Sequence, residues 1–117
     1  MALRMNRIST HILDLMRGTP AEEVPVRLER QDASGNWRLL NSSRTDHHGR
    51  CGQLLAHDQL ESGLYKLSFD TASYFSALQI PALYPIVEVT FRVRDGESQF
   101  HIPLLLNANG YTTYRGR

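Results

Sequence analysis

The sequence predicts an all-β protein, an antiparallel β-sandwich of about eight short strands with one short helix. Apolar residues alternate with polar ones in several runs, as they do in strands that bury one face. Clusters of Gly, Asn, Asp and Ser separate these runs at the short intervals typical of antiparallel sheets. One run has the flanking residues of a helix.

The first clear strand spans residues 24–29, in which every second residue is apolar. Turn-forming residues at 32–36 follow, so residues 37–41 are expected to return beside it as the second strand of a hairpin.

A second turn is predicted at 46–49, and apolar residues alternate again over 65–69. The predicted helix spans 71–79, because Asp70 can cap its first turn and Pro81 stops it.

The clearest strand lies between Pro85 and Asp95, with valine and phenylalanine on one face and Glu, Thr and Arg on the other. The Asp95-Gly96 pair predicts a hairpin turn. Residues 99–106 are therefore expected to return beside this strand.

The chain closes with a predicted turn at 107–110 and β-favouring residues at 111–114. Pro103 has no N–H to donate to a sheet. It is expected at a sheet edge or at a local irregularity.

The 117 residues amount to a single domain, 1–117, in which residues 1–6 are expected to be flexible. A formal net charge of +1 gives no reason to expect binding to nucleic acid or to a membrane surface. No apolar run reaches the ~20 residues of a membrane span, and the start lacks the long apolar core of a secretory signal. Without a signal, the cytoplasm is the predicted location, and the lone Cys51, which cannot form an internal disulfide, suits such a reducing compartment.

Five histidines are the natural candidates for proton transfer, because imidazole titrates near neutral pH. The alternation puts His11 on one face with Ser9, and His101 on one face with Pro103. Each of these two histidines is either functional or a half-buried structural residue. The other three are expected to be solvated in a turn or a polar loop: His47, His48 and His57.

No zinc site is predicted, since the neighbouring histidines at 47 and 48 have no further ligands nearby in the sequence. Cys51 has no base beside it and is expected to be a small core residue. A Gly-x-Ser-x-Gly elbow and a Gly-rich phosphate loop are both absent from the sequence. Any hydrolysis would therefore use a water activated by histidine, with arginine or a backbone donor holding the oxyanion.

Three regions of the sequence, in matching order and spacing, resemble a known family. They are STHILD at 9–14 with RGTPA at 17–21 and the strand at 24–29, then TDHHGR at 45–50, and finally FHIPLLL at 100–106 with GYTTYRG at 110–116. The first two resemble signatures of the transthyretin-like proteins. The third resembles the carboxy-terminal signature of the 5-hydroxyisourate hydrolases within that family.

The resemblance implies the transthyretin-like (prealbumin-like) sandwich and a homotetramer, a dimer of dimers whose sites open at the interface between dimers. It implies hydrolysis of 5-hydroxyisourate, the unstable product of urate oxidation, to 2-oxo-4-hydroxy-4-carboxy-5-ureidoimidazoline, without a cofactor. The positions that match the family's catalytic polar set are His11, Arg50 and His101. The positions that match its substrate-binding carboxy-terminal signature are Tyr114, Arg115 and Gly116.

On this resemblance, His11 and His101 would position and deprotonate a water, and Arg50 would stabilise the tetrahedral oxyanion. Arg115 would supply further anchoring. The sequence leaves open which of the two histidines is the base.

The match fails at the last residue, where the family signature ends in serine and this chain has Arg117. Arg117 is a substrate-binding candidate that clamps substrate carbonyls, crowds the reacting water or turns to solvent. Three other functions stay open: a transthyretin-type carrier of small hydrophobic ligands, a catalytically impaired hydrolase, and an adhesion module. The retained polar set and the bulk of Tyr114 favour the enzyme over the carrier.

Overall fold

The computed structural model describes residues 7–52, 54–55 and 60–116. Within this part of the chain there are nine strands and one helix. In chain order they are β1 (Arg7–Asp14), β2 (Thr19–Pro20), β3 (Pro25–Gln31), β4 (Trp37–Arg44), β5 (Arg50–Cys51), β6 (Gly63–Phe69), α1 (Thr71–Ala77), β7 (Val87–Val93), β8 (Gln99–Asn107) and β9 (Gly110–Thr113). The expected flexibility of residues 1–6 lies outside the described residues.

The strands form two sheets whose apolar faces share one core. One sheet has the order β2-β1-β8-β9, with β5 also paired to β1, and the other has the order β4-β3-β6-β7. Every pair is antiparallel except β1 and β8, which run parallel. The β-sandwich with one short helix is confirmed, and the single parallel pair is the departure from a wholly antiparallel one. No short turn joins β1 to β8, so nothing local imposes an antiparallel direction on them.

Side chains alternate between core and solvent as the sequence predicts. On β8 the buried positions include Phe100, Ile102, Leu104 and Leu106. The hairpin of β3 and β4 is confirmed, although β4 extends three residues beyond the expected end, to Arg44.

The hairpin expected at Asp95-Gly96 is wrong. The chain does turn there, with Gly96 at φ 84°, but β7 and β8 belong to different sheets. The rings of Phe91 and Phe100 lie 5.6 Å apart between them. Alternation with period two indicates that each strand has one apolar face. It does not indicate whether two such strands lie side by side or face to face.

Helix α1 begins as the sequence predicts, because the carboxylate of Asp70 accepts hydrogen bonds from the backbone N–H and the hydroxyl of Ser73. It ends at Ala77, two residues before the expected end. Gln79 adopts a left-handed conformation, and the N–H of Ile80 returns to the carbonyl of Phe75, which closes the helix. Within the described residues no helix is long enough to cross a membrane.

Pro103 lies inside a sheet, between β1 and β9, and it marks the expected irregularity. The β8–β9 ladder stops at Leu104 and Thr113 and resumes, in the same register, as a bridge between His101 and Gly116. Pro103 lacks the N–H that the intervening pair would need.

A buried carboxylate fixes the end of β1. Asp14 is 1% exposed and accepts hydrogen bonds from the Tyr74 hydroxyl at 2.6 Å and from the backbone N–H groups of Met16 and Arg17. Burial, together with the neighbouring carboxylate, raises the pKa of Tyr74 to about 12. The phenol is therefore a permanent donor at neutral pH.

Tyr74→Phe removes that hydroxyl, so Oδ2 of the buried Asp14 carboxylate loses its hydrogen bond. We expect the free energy of unfolding to fall by about 2 kcal/mol, the order found for hydrogen bonds to charged groups. Urea unfolding at one fixed protein concentration measures the loss. Tyr111→Phe, at a residue that is 41% exposed, is the matched control. Equal stability of the two variants would contradict the prediction.

Candidate active site

The outer face of the five-stranded sheet carries the polar residues singled out in the sequence. On β1, Ile8, Thr10, Ile12 and Asp14 are buried on the inner side, so the residues between them point outward. His11 is therefore on the same face as Ser9, and His101 shares its face with Pro103, as predicted.

Strand pairing brings three sequence-distant residues to neighbouring positions. In the parallel β1–β8 pair, Ser9 is opposite His101 and His11 is opposite Pro103. In the antiparallel β1–β5 pair, His11 is opposite Arg50. His11, Arg50 and His101 thus lie on three adjacent strands.

Sequence reasoning missed the partner of His101. The Ser9 hydroxyl lies 2.9 Å from Nδ1 of His101 and is itself buried. When Nδ1 carries the proton and donates it to Ser9 Oγ, Nε2 is left with a free lone pair. The shared face of Ser9 and His11 was the available signal, but the parallel register was needed to use it.

His101 is poised to be neutral. Burial lowers its pKa below the ordinary value of 6.5, and the positive charges of His11, Arg50 and Arg7 lower it further. A neutral imidazole can accept a proton from water at neutral pH.

The 45–50 turn holds Arg50 by a local network. The Asp46 carboxylate accepts from the backbone N–H groups of His48 and Arg50, and these bonds lower the pKa of Asp46. The buried Thr45 hydroxyl donates to the carbonyl of Ala21, which fixes the other end of the turn. Gly49 has φ 77°, and a Cβ there would overlap the carbonyl oxygen of Ile12. The threonine, the glycine and the arginine of the TDHHGR segment at 45–50 thus each have a physical reason in this chain.

The carboxy-terminal segment packs on His101. The N–H of Gly116 donates to the carbonyl of His101 at 2.7 Å, and a Cβ on Gly116 would come within 2.7 Å of Cδ2 of that ring. Tyr114, in contrast, is 55% exposed. Arg117 lies outside the described residues.

Arg50, His101 and Gly116 are part of the lining of an open depression of about 890 Å³, a size suited to a small ligand. Its lining residues are Arg7, Ser9, Thr10, Arg50, Gly52, Gly96, Glu97, Ser98, Gln99, Phe100, His101, Arg115 and Gly116. Four of the predicted site residues line the depression, namely Arg50, His101, Arg115 and Gly116. His11 and Tyr114 do not line it. His11 remains close enough to His101 to lower the pKa of that residue by electrostatic interaction.

The depression carries an excess of positive charge, from Arg7, Arg50 and Arg115 against the carboxylate of Glu97. Guanidinium groups recognise carbonyl and carboxylate oxygens. Arg7 and Glu97 were not identified from the sequence, because each lies outside any recognisable motif. Arg7 reaches the site through the β1–β8 pairing, and Glu97 through the turn that precedes β8.

Other sequence expectations concern residues away from the depression. His47 and His48 are exposed in their turn, as predicted. Cys51 is buried, and burial raises the pKa of its thiol, so the prediction of a core residue is confirmed. Among the residues with described positions, no three His, Cys, Asp or Glu side chains are grouped as metal ligands would be. His57 lies outside them.

These features define a two-sheet β-sandwich protein with a histidine- and arginine-bearing polar site on the outer face of one sheet. A family model described as "HIUase/Transthyretin family" matches residues 8–116, and the chain belongs to this family. The 5-hydroxyisourate hydrolase of Mus musculus is 42% identical over 117 residues, which cover 99% of each protein.

Two solved structures confirm the transthyretin-like sandwich that the sequence predicts. The 5-hydroxyisourate hydrolase of Klebsiella pneumoniae has a TM-score of 0.85 and 34% identity, over 97% of this chain and 100% of that one. Sea bream transthyretin in complex with thyroxine has a TM-score of 0.88 and 29% identity, over 93% of each chain.

An alanine substitution at Gly49 tests the close approach between the 45–50 turn and the carbonyl of Ile12. Gly49 and Gly35 both have positive φ, but only Gly49 lacks room for a side chain. Both alanine variants should show a backbone cost of ~1–2 kcal/mol. We expect Gly49→Ala to lose at least about 2 kcal/mol more, because the Ile12 carbonyl or the turn must move. Urea unfolding of the two variants measures this, and equal losses would rule out the close approach.

Proposed function

We propose that this chain hydrolyses 5-hydroxyisourate to 2-oxo-4-hydroxy-4-carboxy-5-ureidoimidazoline in urate breakdown. The observation that carries the proposal is the convergence of His11, Arg50 and His101 on three adjacent strands beside the depression. The hydrolases of mouse and Klebsiella pneumoniae, similar over nearly the whole chain, support the same substrate.

His101 is the proposed general base. Its lowered pKa keeps it neutral, and Ser9 engages Nδ1, so Nε2 can take a proton from water. His11, on the neighbouring strand, would orient that water. We assign the base to His101 rather than to His11 because His101 lines the depression.

Arg50 is the proposed oxyanion partner. Water adds to the acyl carbon of the six-membered ring, and the tetrahedral oxyanion is held by the guanidinium. Collapse breaks the acyl C–N bond, and the nitrogen takes up a proton from the protonated histidine. The new carboxylic acid loses its remaining proton to solvent, so the product bears a carboxylate and a ureido group. The proposed reaction needs no cofactor, because its steps use only water and these side chains.

The substrate-binding assignments of Arg115, Gly116, Tyr114 and Arg117 stay proposals. Arg115 and Gly116 line the depression, which supports the first two. Arg7 adds a further cation to the lining, and its charge would attract the carboxylate of the product.

A transthyretin-type carrier is the second candidate, supported by the likeness to sea bream transthyretin in its thyroxine complex. A carrier of apolar ligands needs a mostly apolar channel. The outer face of this sheet instead holds two histidines and an arginine at neighbouring positions, which favours the hydrolase.

We further infer that the single domain works as a homotetramer with its sites between dimers. Exposed apolar side chains support contacts between copies, and several gather at one end of the sandwich, where the rings of Tyr84 and Tyr111 lie 5.5 Å apart. The others include Leu15, Met16, Leu83 and Ile86. The cytoplasmic location stays a prediction from the sequence.

The activity is tested by generating 5-hydroxyisourate in place with urate oxidase and following its ultraviolet absorbance. We expect the protein to accelerate the decay. His101→Asn should cut turnover at least ~100-fold by removing the base, and Arg50→Ala should lower it by a similar factor. Arg92→Ala, an exposed arginine on β7, is the control. A purely spontaneous decay with wild-type protein would favour the carrier or an impaired homologue.

The pH profile tests the assigned base. Because the pKa of His101 is lowered, the acid limb of kcat/KM should lie below pH 6.5, with activity lost as His101 is protonated. Arg7→Gln removes one of the charges that lower this pKa, so the limb should move to higher pH, most clearly at low salt. Arg92→Gln should leave the limb in place. If the acid limb stays at the same pH in Arg7→Gln, His101 is not the titrating base.

A further inference from the structure

The carboxy-terminal segment has a gap in its backbone pairing next to the site. Between the Leu104–Thr113 pair and the His101–Gly116 bridge, the register sets residue 114 opposite Pro103, which has no N–H to donate. Residues 114 and 115 are therefore not held by the β8–β9 ladder.

The side chain of Arg115 ties this segment to the beginning of β8 and to the turn before it. Its Nη1 lies 3.0 Å from Oε2 of Glu97, its Nη2 donates to the carbonyl of Gln99 at 3.2 Å, and its guanidinium carbon lies 4.1 Å from the centroid of the Phe100 ring. These four residues form what we call the carboxy-terminal clamp. An ion pair, a carbonyl bond and a stacked ring together restrain the guanidinium more than an isolated surface pair would.

Glu97 is itself held in place. Its Oε1 accepts from the backbone N–H of Arg94 at 2.8 Å, across the turn that carries the chain from one sheet to the other. This bond, followed by the Arg115 guanidinium, holds the pKa of Glu97 below its ordinary value. The carboxylate is therefore charged at neutral pH, and the clamp would be lost only in acid, as the pH falls through that lowered pKa.

The clamp ends beside the proposed base. Gly116 follows Arg115 directly, donates to the His101 carbonyl and packs against the imidazole edge. A shift of residues 114–116 would therefore disturb the backbone of His101 and the packing against one edge of its ring. Small displacements of a reacting group are expensive in rate.

We propose that Glu97 is a positioning residue, which acts through Arg115 to fix residues 114–116 against His101. Arg115 then serves mainly to hold the segment, which differs from the substrate anchoring implied by the family resemblance. The inference rests on the proposed function, and it assigns a role to a residue outside the recognised signatures.

A double-mutant cycle distinguishes the two roles of Arg115. If the clamp operates, Glu97→Gln and Arg115→Gln should each lower kcat about tenfold with KM changed less than about twofold, and the double variant should lose no more than either single one. The amide oxygen introduced by Glu97→Gln can still accept from the N–H of Arg94, so the turn itself is preserved. If Arg115 instead contacts substrate, its variant raises KM far more than Glu97→Gln does and the two losses multiply. That result would overturn the proposal.

The exchange rate of the Gly116 amide gives an independent measurement. We expect it to rise about tenfold in Glu97→Gln, because the hydrogen bond to His101 opens more often. Glu61→Gln, which breaks an exposed pair with Arg30 at 3.4 Å in the other sheet, is the matched control and should change neither exchange nor kcat. Unchanged exchange of the Gly116 amide in Glu97→Gln would refute the clamp. This measurement does not depend on activity, so a wild-type protein that is inactive toward 5-hydroxyisourate would refute only the proposed function.

Discussion

The parallel pairing of β1 with β8 is the constraint on which the rest of the structure depends. It joins strands from opposite ends of the chain, and its inner face supplies Ile8, Ile12 and Leu104 to the core. The same register sets Ser9 beside His101 on the outer face. Because side chains alternate, a slip of one residue would send the core residues outward and the polar residues inward. Folding stability and site geometry are therefore fixed by one register.

Local signals were enough for the elements whose partners are close in the chain. The hairpin of β3 and β4 follows from a turn rich in Asp, Ser, Gly and Asn, and α1 begins where Asp70 can cap it. The early end of α1 was harder to predict, because Gln79 adopts a left-handed conformation that its residue type does not suggest. The passage of the chain from β7 to β8 could not be predicted from alternation, since facing sheets and paired strands show the same period.

The site residues likewise fall into two groups, those that the sequence could identify and those that it could not. His11, Arg50 and His101 could be named from the sequence because motifs resembling a known family surround them. Arg7 and Glu97 lie outside these motifs, and Ser9, although it begins the first of them, has no role that the motif predicts. Ser9 acquires its role only when the parallel register brings it to His101, and Glu97 only when the turn between the sheets meets the last residues of the chain. Residues that act by holding others are defined by tertiary contacts, which a single sequence does not contain.

A transthyretin in complex with thyroxine and a 5-hydroxyisourate hydrolase share this sandwich at TM-scores of 0.88 and 0.85, so the fold alone does not decide between binding and hydrolysis. The inward residues of β1 and β8 maintain the core whatever the outward ones are, which leaves positions such as 9, 11 and 101 open to different chemistry. In this chain they hold a hydroxyl and two imidazoles, with Arg50 one strand away. Burial and the neighbouring positive charges depress the pKa of His101, so this face of the sheet presents a neutral imidazole rather than an apolar surface.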